Sequence, residues 1–248
     1  MNKESLRLKA SETIGDFLLE NVHRNVYGVK NLNIGKEHLE NGGSVLFYFN
    51  HFAKLDAIIF GKIINDYLTS FENAAAIASF RHMDPDRGFF NKAQKALIED
   101  WHKIYGINAI PVIQEKDKID YPNADEFNSN AARRAAKFLR HPGHVLALSP
   151  EGTRSKINEL LPAEEGFEIL FKLGGKKVLA LPAAGQHSTI RPYNTKTKVS
   201  IGEPFSYEEI KAESEQTGKS ITELAMRRMA NLLPEQNRGY YQTPTDIK

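Results

Sequence analysis

The sequence predicts one α/β domain over residues 1–248, with a mixed, mostly parallel β-sheet covered by helices. Short apolar runs alternate with segments of helical periodicity along the whole chain, which is typical of this fold class. The run Ser44–Phe49 is apolar at consecutive positions, which indicates a strand buried on both faces. No repeat or low-complexity linker divides the chain, so a single domain is the simplest interpretation.

The first half of the chain contains three predicted helices and four predicted strands. In chain order we expect a helix at Ser5–Val22, strands at Val29–Ile34 and Ser44–Phe49, a helix at Asp56–Leu68, a strand at Ala74–Ser79, a helix at Gly88–Tyr105 and a strand at Asn108–Ile113. The two strands before residue 50 are separated by the turn Asn41-Gly42-Gly43. Gly106 ends the helix Gly88–Tyr105, because glycine is common just past a helix carboxyl end.

The second half continues this alternation after a polar segment, Glu115–Phe127, that we interpret as a loop. In chain order we expect a helix at Asn130–Arg140, a strand at His144–Leu148, a helix at Glu164–Leu173, strands at Val178–Ala184 and Lys196–Ile201, and helices at Tyr207–Glu213 and Ile221–Leu233. Ligand sites in such folds lie beyond the carboxyl ends of the strands. His51 and Glu151 both follow predicted strands and are therefore expected there.

The composition excludes several classes of site. The net charge is only +2, which does not indicate a nucleic-acid partner. There is no cysteine, which excludes disulfides, thiolate nucleophiles and Cys-ligated zinc. The longest apolar runs, such as Val45–Phe49 and Val178–Ala184, are far shorter than the roughly 20 residues that span a bilayer. We therefore expect a cytoplasmic protein whose contact with membranes is peripheral.

A histidine and an aspartate follow the strand Ser44–Phe49. His51 comes two residues after the strand, and Asp56 is expected in the first turn of the next helix. A neutral imidazole can accept a proton from a hydroxyl, and a carboxylate on its other nitrogen orients it and stabilises the imidazolium. Taken alone, the pair is better explained by an aspartate at a helix start and an incidental histidine.

Two further segments follow predicted strands or lie within them. Pro150–Ser155 (PEGTRS) offers a glycine for close backbone approach, an acid, and an arginine suited to bidentate phosphate recognition. Pro182 lies inside the strand Val178–Ala184, where a proline marks a sheet edge or a special backbone requirement. A strand-exit turn and an edge strand explain these two segments when each is considered separately.

In combination, these segments resemble the glycerolipid acyltransferase family of lysophosphatidate acyltransferases. The family has a His-x4-Asp block, a Pro-Glu-Gly-Thr-Arg block about a hundred residues later, and then a strand with a proline. This chain has His51–Asp56 (HFAKLD), Pro150–Ser155 and Val178–Pro182 (VLALP) in the same order. The resemblance extends to Val199–Pro204 and to LLPEQNRGYY near the carboxyl end, so it covers nearly the whole chain.

The resemblance implies a glycerol-3-phosphate acyltransferase-like fold and the transfer of a fatty acyl group from acyl-CoA or acyl carrier protein to a lipid hydroxyl. His51 would be the general base and Asp56 would orient it. The acceptor would be bound by the second block, with Arg154 at its phosphate, and Pro182 would shape the site. The residues of that block are Glu151, Gly152, Thr153 and Arg154. The family requires no metal, no cofactor beyond the acyl thioester and no covalent enzyme intermediate.

One block departs from the family pattern. The family places an arginine just after a strand similar to Gly106–Val112, whereas here Ile113-Gln114-Glu115-Lys116 follows. Lys116 could replace that arginine as a point charge, and Arg81, after the preceding strand, is a second candidate. The acceptor is therefore expected to be lysophosphatidate, with another lysophospholipid, a glycolipid or a non-phosphate alcohol as the alternative.

Three further expectations complete the interpretation. Attack on a thioester forms an oxyanion that needs N–H donors, for which backbone amides around the two blocks are candidates. Residues 1–27 are predicted to contain an amphipathic helix whose apolar stripe, flanked by Lys3, Arg7 and Lys9, either lies on an anionic membrane or packs on the domain. A thioesterase that uses water as acceptor and a lipid-binding module without turnover are the remaining alternatives.

Overall fold

The computed structural model describes residues 3–20, 24–52, 56–82, 84, 95–96, 99–100, 103, 108–155, 157, 159–164, 166–187 and 197–242. The α-helices in these ranges are α1 (Lys3–Glu20), α2 (Val29–Glu40), α3 (Asp56–Tyr67), α4 (Ala124–Leu139), α5 (Phe167–Gly174), α6 (Tyr207–Thr217) and α7 (Ile221–Ala230). The strands are β1 (Arg24–Tyr27), β2 (Ser44–Phe49), β3 (Ala74–Ser79), β4 (Asn108–Val112), β5 (Val145–Leu148), β6 (Val178–His187), β7 (Thr197–Ile201) and β8 (Phe205–Ser206).

The eight strands form one sheet in the order β1-β7-β6-β2-β5-β3-β4, and β8 also pairs with β6. The five strands from β6 to β4 run parallel to one another, whereas β7 and β8 pair antiparallel with β6. The predicted mixed, mostly parallel sheet is therefore confirmed. The carboxyl ends of the five parallel strands meet at one edge, which we call the carboxyl edge, and the opposite edge is the amino edge.

Helices cover both faces of the sheet, as the apolar run in β2 predicts. All six residues of β2 are buried. Leu46 and Tyr48 point into a core shared with α4, α5, α6 and α7, whereas Val45, Phe47 and Phe49 belong to a second core shared with α2 and α3. Because apolar side chains hold β2 from both sides, the position of its carboxyl end is fixed by the two cores.

Pro182 lies inside the sheet and not on an edge strand. On one side of β6, Pro182 pairs with Tyr48 of β2. On the other side, β6 pairs with β8 as far as Ala180 and with β7 from Ala183. The proline occurs where β6 changes partner, and its carbonyl accepts the N–H of Gly202 in the β7–β8 connection at 2.9 Å. Of the two meanings of a strand proline, the special backbone requirement is therefore the one realised here.

The strand predicted at Val29–Ile34 is wrong, because this segment is the first half of α2. The strand lies just before it, at β1. Gly28 separates the two with a φ of 79°, and a Cβ there would lie 2.3 Å from the carbonyl oxygen of Ile201. The residues that α2 buries recur at helical spacing, but two of the four are an asparagine and a glycine, so apolar residues alone do not show that spacing. They are Asn31, Leu32, Gly35 and Leu39.

The loop predicted at Glu115–Phe127 is also wrong in part. Glu115–Asp120 forms a 3₁₀ helix, and α4 begins at Ala124, six residues before the predicted helix start. The polar residues at the start of α4 include Asp125 and Glu126, whose charges are favourable at a helix amino end. The helix predicted at Gly88–Tyr105 lies mostly outside the described residues.

The described part of α1 exposes apolar and polar side chains alike. Leu6, Ala10 and Ile14 are exposed, and so are Glu12 and Thr13. The helix contacts the domain through Arg7 and Ser11, which both donate to the buried Asp100, at 2.8 and 2.9 Å. Within the described residues, no helix has the length and apolar character needed to cross a bilayer.

Helix α5 offers a matched test of the core. Phe171 is fully buried, whereas Ile169 on the same helix is 54% exposed. Phe171→Ala should lower the free energy of unfolding by about 3–5 kcal/mol because it removes a large buried ring and leaves a cavity. Ile169→Ala should change it by less than about 1 kcal/mol, measured by urea unfolding of both variants. A comparable loss in the two variants would contradict this packing.

Candidate active site

The residues that the sequence singled out all follow parallel strands at the carboxyl edge, apart from Pro182 within β6. His51 follows β2, Arg81 follows β3, Lys116 follows β4, and the segment Glu151–Arg154 follows β5. Because β2, β5, β3 and β4 are adjacent in that order, four loops converge on one stretch of the edge. The sheet topology therefore brings together residues that are distant in the sequence.

His51 and Asp56 are in direct contact. The imidazole Nδ1 lies 2.7 Å from the Asp56 Oδ2 atom. The Asp56 side chain is 6% exposed and that of His51 is 28% exposed, so the carboxylate is buried behind a ring that solvent can reach. Asp56 is the first residue of α3, where a negative charge is also favourable for the helix dipole.

This contact determines which imidazole nitrogen can act as a base. An ionised carboxylate only accepts hydrogen bonds, so the proton lies on Nδ1 and is donated to Asp56. The lone pair is then on Nε2, which has no hydrogen-bond partner among the described residues. The arrangement can take a proton from a hydroxyl at Nε2 and stabilise the resulting imidazolium through Asp56.

Glu151 joins the two halves of the site. Its Oε1 atom accepts the backbone N–H of His51 at 2.8 Å, and its Oε2 atom accepts the backbone N–H of Leu161 at 2.9 Å. The residue is buried, with 3% of its surface exposed. The carboxylate thus anchors the backbone of His51 to the loop after β5. Its predicted contact with an acceptor stays a prediction, while this positioning role was not visible in the sequence.

The electrostatics of Glu151 are unusual. Burial raises the pKa of Glu151 to about 7, although the N–H donors of Leu161 and His51 favour its ionised form. The ionised carboxylate can accept both N–H groups at once, whereas a protonated carboxyl gives up part of that capacity. The ionisation of Glu151 and the anchoring of His51 are therefore linked.

The loop after β5 has a tight backbone that requires glycine. Gly152 has a φ of 61°, and a Cβ there would lie 2.4 Å from the carboxyl carbon of Glu164. The side-chain amide of Gln114 donates to the carbonyl of Gly152. The N–H of Glu164 donates to the carbonyl of Pro150 at 2.8 Å. Backbone and side chains from three segments therefore hold the shape of this loop.

The candidate phosphate-binding cations differ in their surroundings. Lys116 donates to the Thr153 hydroxyl at 2.9 Å, and Arg81 donates to the buried Asp117 at 3.1 Å. Burial raises the pKa of Glu164, and the charge of Lys116 acts against this rise. Arg154 is exposed and has no ion-pair partner among the described residues. Lys116 therefore contacts the loop after β5, which also contains Arg154, whereas Arg81 forms an ion pair with Asp117.

The sequence did not predict the pair of hydrogen bonds between Asn50 and Gly185 that aligns β2 with β6. The Asn50 Oδ1 atom accepts the N–H of Gly185 at 2.7 Å, and its Nδ2 atom donates to the Gly185 carbonyl at 3.1 Å. A Cβ at Gly185 would lie 2.1 Å from the Phe52 ring, so glycine leaves room for that ring. The sequence shows an asparagine immediately before the candidate base but not its partner, since Gly185 is 135 residues away.

Comparisons with known proteins found a likeness among solved structures and none elsewhere. No family model and no curated protein matches this chain. Among solved structures, it is similar to the crystal structure of the 1-acyl-sn-glycerophosphate (LPA) acyltransferase PlsC from Thermotoga maritima. The TM-score is 0.46 and the sequence identity is 19%, over 87% of this chain and 79% of that chain. A likeness at this level does not identify the acceptor or the donor of this chain.

Glu151→Gln tests the buried carboxyl through pH. The folded chain holds a proton on Glu151 up to about pH 7, whereas the unfolded chain releases it near pH 4.5. Unfolding therefore releases a proton between these values, and the contribution of Glu151 to stability falls as pH rises through this window. Glutamine does not titrate, so the free energy of unfolding of the wild type minus that of the variant should decline between about pH 4.5 and 7.

This difference is measured by urea unfolding of both proteins at several pH values, so that groups common to both cancel. The difference in free energy of unfolding should not change with pH below about pH 4.5 or above about pH 7. A difference that is independent of pH, or one that increases with pH, is incompatible with a raised pKa at Glu151.

Proposed function

We propose that this chain is an O-acyltransferase that moves a fatty acyl group from a thioester to a lipid hydroxyl. The observation that carries the proposal is the His51–Asp56 contact of 2.7 Å at the carboxyl edge, with Nε2 of His51 left without a described partner. The motif order given by the sequence, from His51–Asp56 to Pro150–Ser155, supports the same reaction class. A lipid-binding module would not need an oriented base.

The proposed reaction has two steps. Nε2 of His51 accepts the proton of the acceptor hydroxyl as the oxygen attacks the thioester carbonyl, and the positive charge on the ring is stabilised by Asp56. The C–S bond of the tetrahedral intermediate then breaks, and the imidazolium returns the proton to the departing sulfur. The products are an ester and a free thiol, with no covalent bond to the protein.

The acceptor is proposed to be a lysophosphatidate-like phosphate monoester. Arg154 supports this assignment because it is exposed beside the site and has no described ion-pair partner. A guanidinium in that state is free to bind a phosphate in bidentate fashion. Lys116, at the neighbouring Thr153, adds a second positive charge.

Two interactions of the candidate cations favour the second candidate function, which is acyl transfer to an acceptor without a phosphate monoester. Arg81 is neutralised by Asp117, and Glu164 lies close enough to Lys116 for their charges to interact. A dianionic headgroup would have to compete with these carboxylates for the cations. A hydroxyl-rich or zwitterionic headgroup would not, so lysophospholipids, glycolipids and simple alcohols belong in the same assay.

The donor is proposed to be acyl-CoA or acyl carrier protein, and the reaction is proposed to occur at a membrane surface on the cytoplasmic side. Support for the surface comes from α1, whose residues Leu6, Ala10 and Ile14 are exposed while Arg7 and Ser11 contact the domain. The exposed apolar residues and the neighbouring Arg7 and Lys9 are the part of α1 that would contact an anionic membrane.

The His51→Ala variant tests the reaction itself. Wild type and variant are incubated with an acyl-CoA, or with acyl carrier protein as donor, and with a mixed panel of lysolipids and alcohols, and products are read by mass spectrometry. We expect one new ester with the wild type and a loss of at least about 100-fold in the variant, because a positioned base contributes that much or more. Near-normal turnover by a folded variant would contradict the assignment of His51 as the base. Free fatty acid instead of ester would indicate a thioesterase.

Arg154→Ala tests the phosphate contact. For a phosphate monoester acceptor, we expect kcat/KM to fall by a factor on the order of 10 to 100, as for the loss of a charge-assisted hydrogen bond, while kcat/KM for a neutral alcohol stays within about twofold. Arg133→Ala is the matched control, since Arg133 is exposed on α4 and, among the described residues, its side chain is hydrogen-bonded to Asn130 alone. Equal losses for charged and neutral acceptors would contradict a phosphate-binding role.

A further inference from the structure

A second concave site lies at the amino edge, opposite the candidate active site. Three turns meet there, namely 41–44 before β2, 140–144 before β5 and 174–177 before β6. They enclose a surface pocket of about 220 Å³. With 6 residues in β2 and a rise of about 3.3 Å per residue, this pocket lies about 20 Å from the carboxyl edge.

The walls of the pocket are held in place by hydrogen bonds between the turns. The N–H of Ser44 donates to the carbonyl of Lys177 at 3.0 Å, and the N–H of Gly143 donates to the carbonyl of Gly43 at 2.8 Å. His38 lies with Nε2 at 2.8 Å from the same Lys177 carbonyl. Because each turn is tied to another, the pocket is formed before any ligand binds, which reduces the entropic cost of binding.

The ionisable side chains that line the pocket are all basic. Arg140, His141, Lys176 and Lys177 line it, and none of the described lining residues is acidic. The side chains of Lys176 and Lys177 have no ion-pair partner among the described residues. The Nε atom of Arg140 donates to the carbonyl of Leu173 at 2.9 Å, so the guanidinium is held at the rim, and its other N–H groups have no partner among the described residues.

These cations also lie near the carboxyl ends of α2, α4 and α5, where positive charge is favoured by about 0.3–1 kcal/mol per helix. That effect accounts for basic residues near helix ends. It does not account for a concave surface lined by Arg140, Lys176 and Lys177 with no carboxylate among the described lining residues.

We propose that this amino-edge pocket binds a phosphate group. A guanidinium held at the rim suits the oxygen pair of a phosphate, and two flexible lysines can neutralise its charge. The pocket is smaller than the roughly 300 Å³ typical of sites for drug-sized ligands, which fits a single phosphate or a headgroup and not a large molecule. Its distance from His51 places it outside the proposed reaction, so the inference does not depend on the proposed function.

The test compares two charge-matched variants. The first is Arg140→Gln/Lys176→Gln/Lys177→Gln, and the control is Lys198→Gln/Lys211→Gln/Lys219→Gln, whose lysines lie outside the pocket. Binding of inorganic phosphate is measured by calorimetry, and amide shifts by NMR. We expect shifts at turns 41–44, 140–144 and 174–177, an affinity at least tenfold weaker in the pocket variant, and unchanged affinity in the control.

A second arm distinguishes the source of the phosphate. Vesicles of phosphatidylcholine with phosphatidate are compared with vesicles of phosphatidylcholine alone, for the same two variants. Binding to phosphatidate vesicles that the pocket variant loses identifies a lipid headgroup, and phosphate binding without vesicle binding identifies a soluble phosphate. If the pocket triple variant does not fold, Lys176→Gln/Lys177→Gln retains the Arg140–Leu173 bond and serves instead. No binding in either arm, or equal binding by both variants, overturns the proposal.

Discussion

The carboxylate of Glu151 is the constraint on which the site depends. One oxygen accepts the N–H of His51, 100 residues earlier in the chain, and the other accepts the N–H of Leu161. A buried carboxylate is tolerated because two N–H donors satisfy it, and two backbone segments are held together in return. The segment after β2 that contains His51 and the loop after β5 are therefore held together as one unit by Glu151. Gly152 and Gln114 then extend this unit to the loop after β4.

The core determines where that unit lies. β2 is buried from both sides, and the Asn50–Gly185 pair ties its carboxyl end to β6. The His51 ring is in turn oriented by Asp56 at the start of α3, a helix whose apolar residues pack against the same face of the sheet. The packing of β2 and α3 in one core therefore also fixes the distance between His51 and Asp56. The orientation of the His51 ring follows from its contact with Asp56, and the position of the His51 backbone follows from its contact with Glu151.

The sequence predicted the sheet and its carboxyl edge because buried strands such as β2 and β3 are recognisable as short apolar runs. It misplaced the strand near residue 30, since three apolar residues in six, Val29, Leu32 and Ile34, are compatible with a short strand and with a helix, and only packing against the sheet distinguishes the two. The His51–Asp56 pair was predictable from the motif. The roles of Glu151 and Asn50 were not, because both act through backbone N–H groups of segments far away in the chain. Such contacts depend on the strand order, which no local pattern contains.

The most direct test of the account is the tautomer of His51, read by ¹⁵N NMR of histidine-labelled protein with the ring in its neutral form. The His51 signals are assigned by their absence in His51→Ala. The account predicts a proton on Nδ1 and a bare Nε2, since Asp56 can only accept. In Asp56→Asn, this preference should weaken or reverse, because the amide can also donate. A neutral ring in wild type with its proton on Nε2 would contradict the account, since the nitrogen proposed as the base would then have no lone pair to offer.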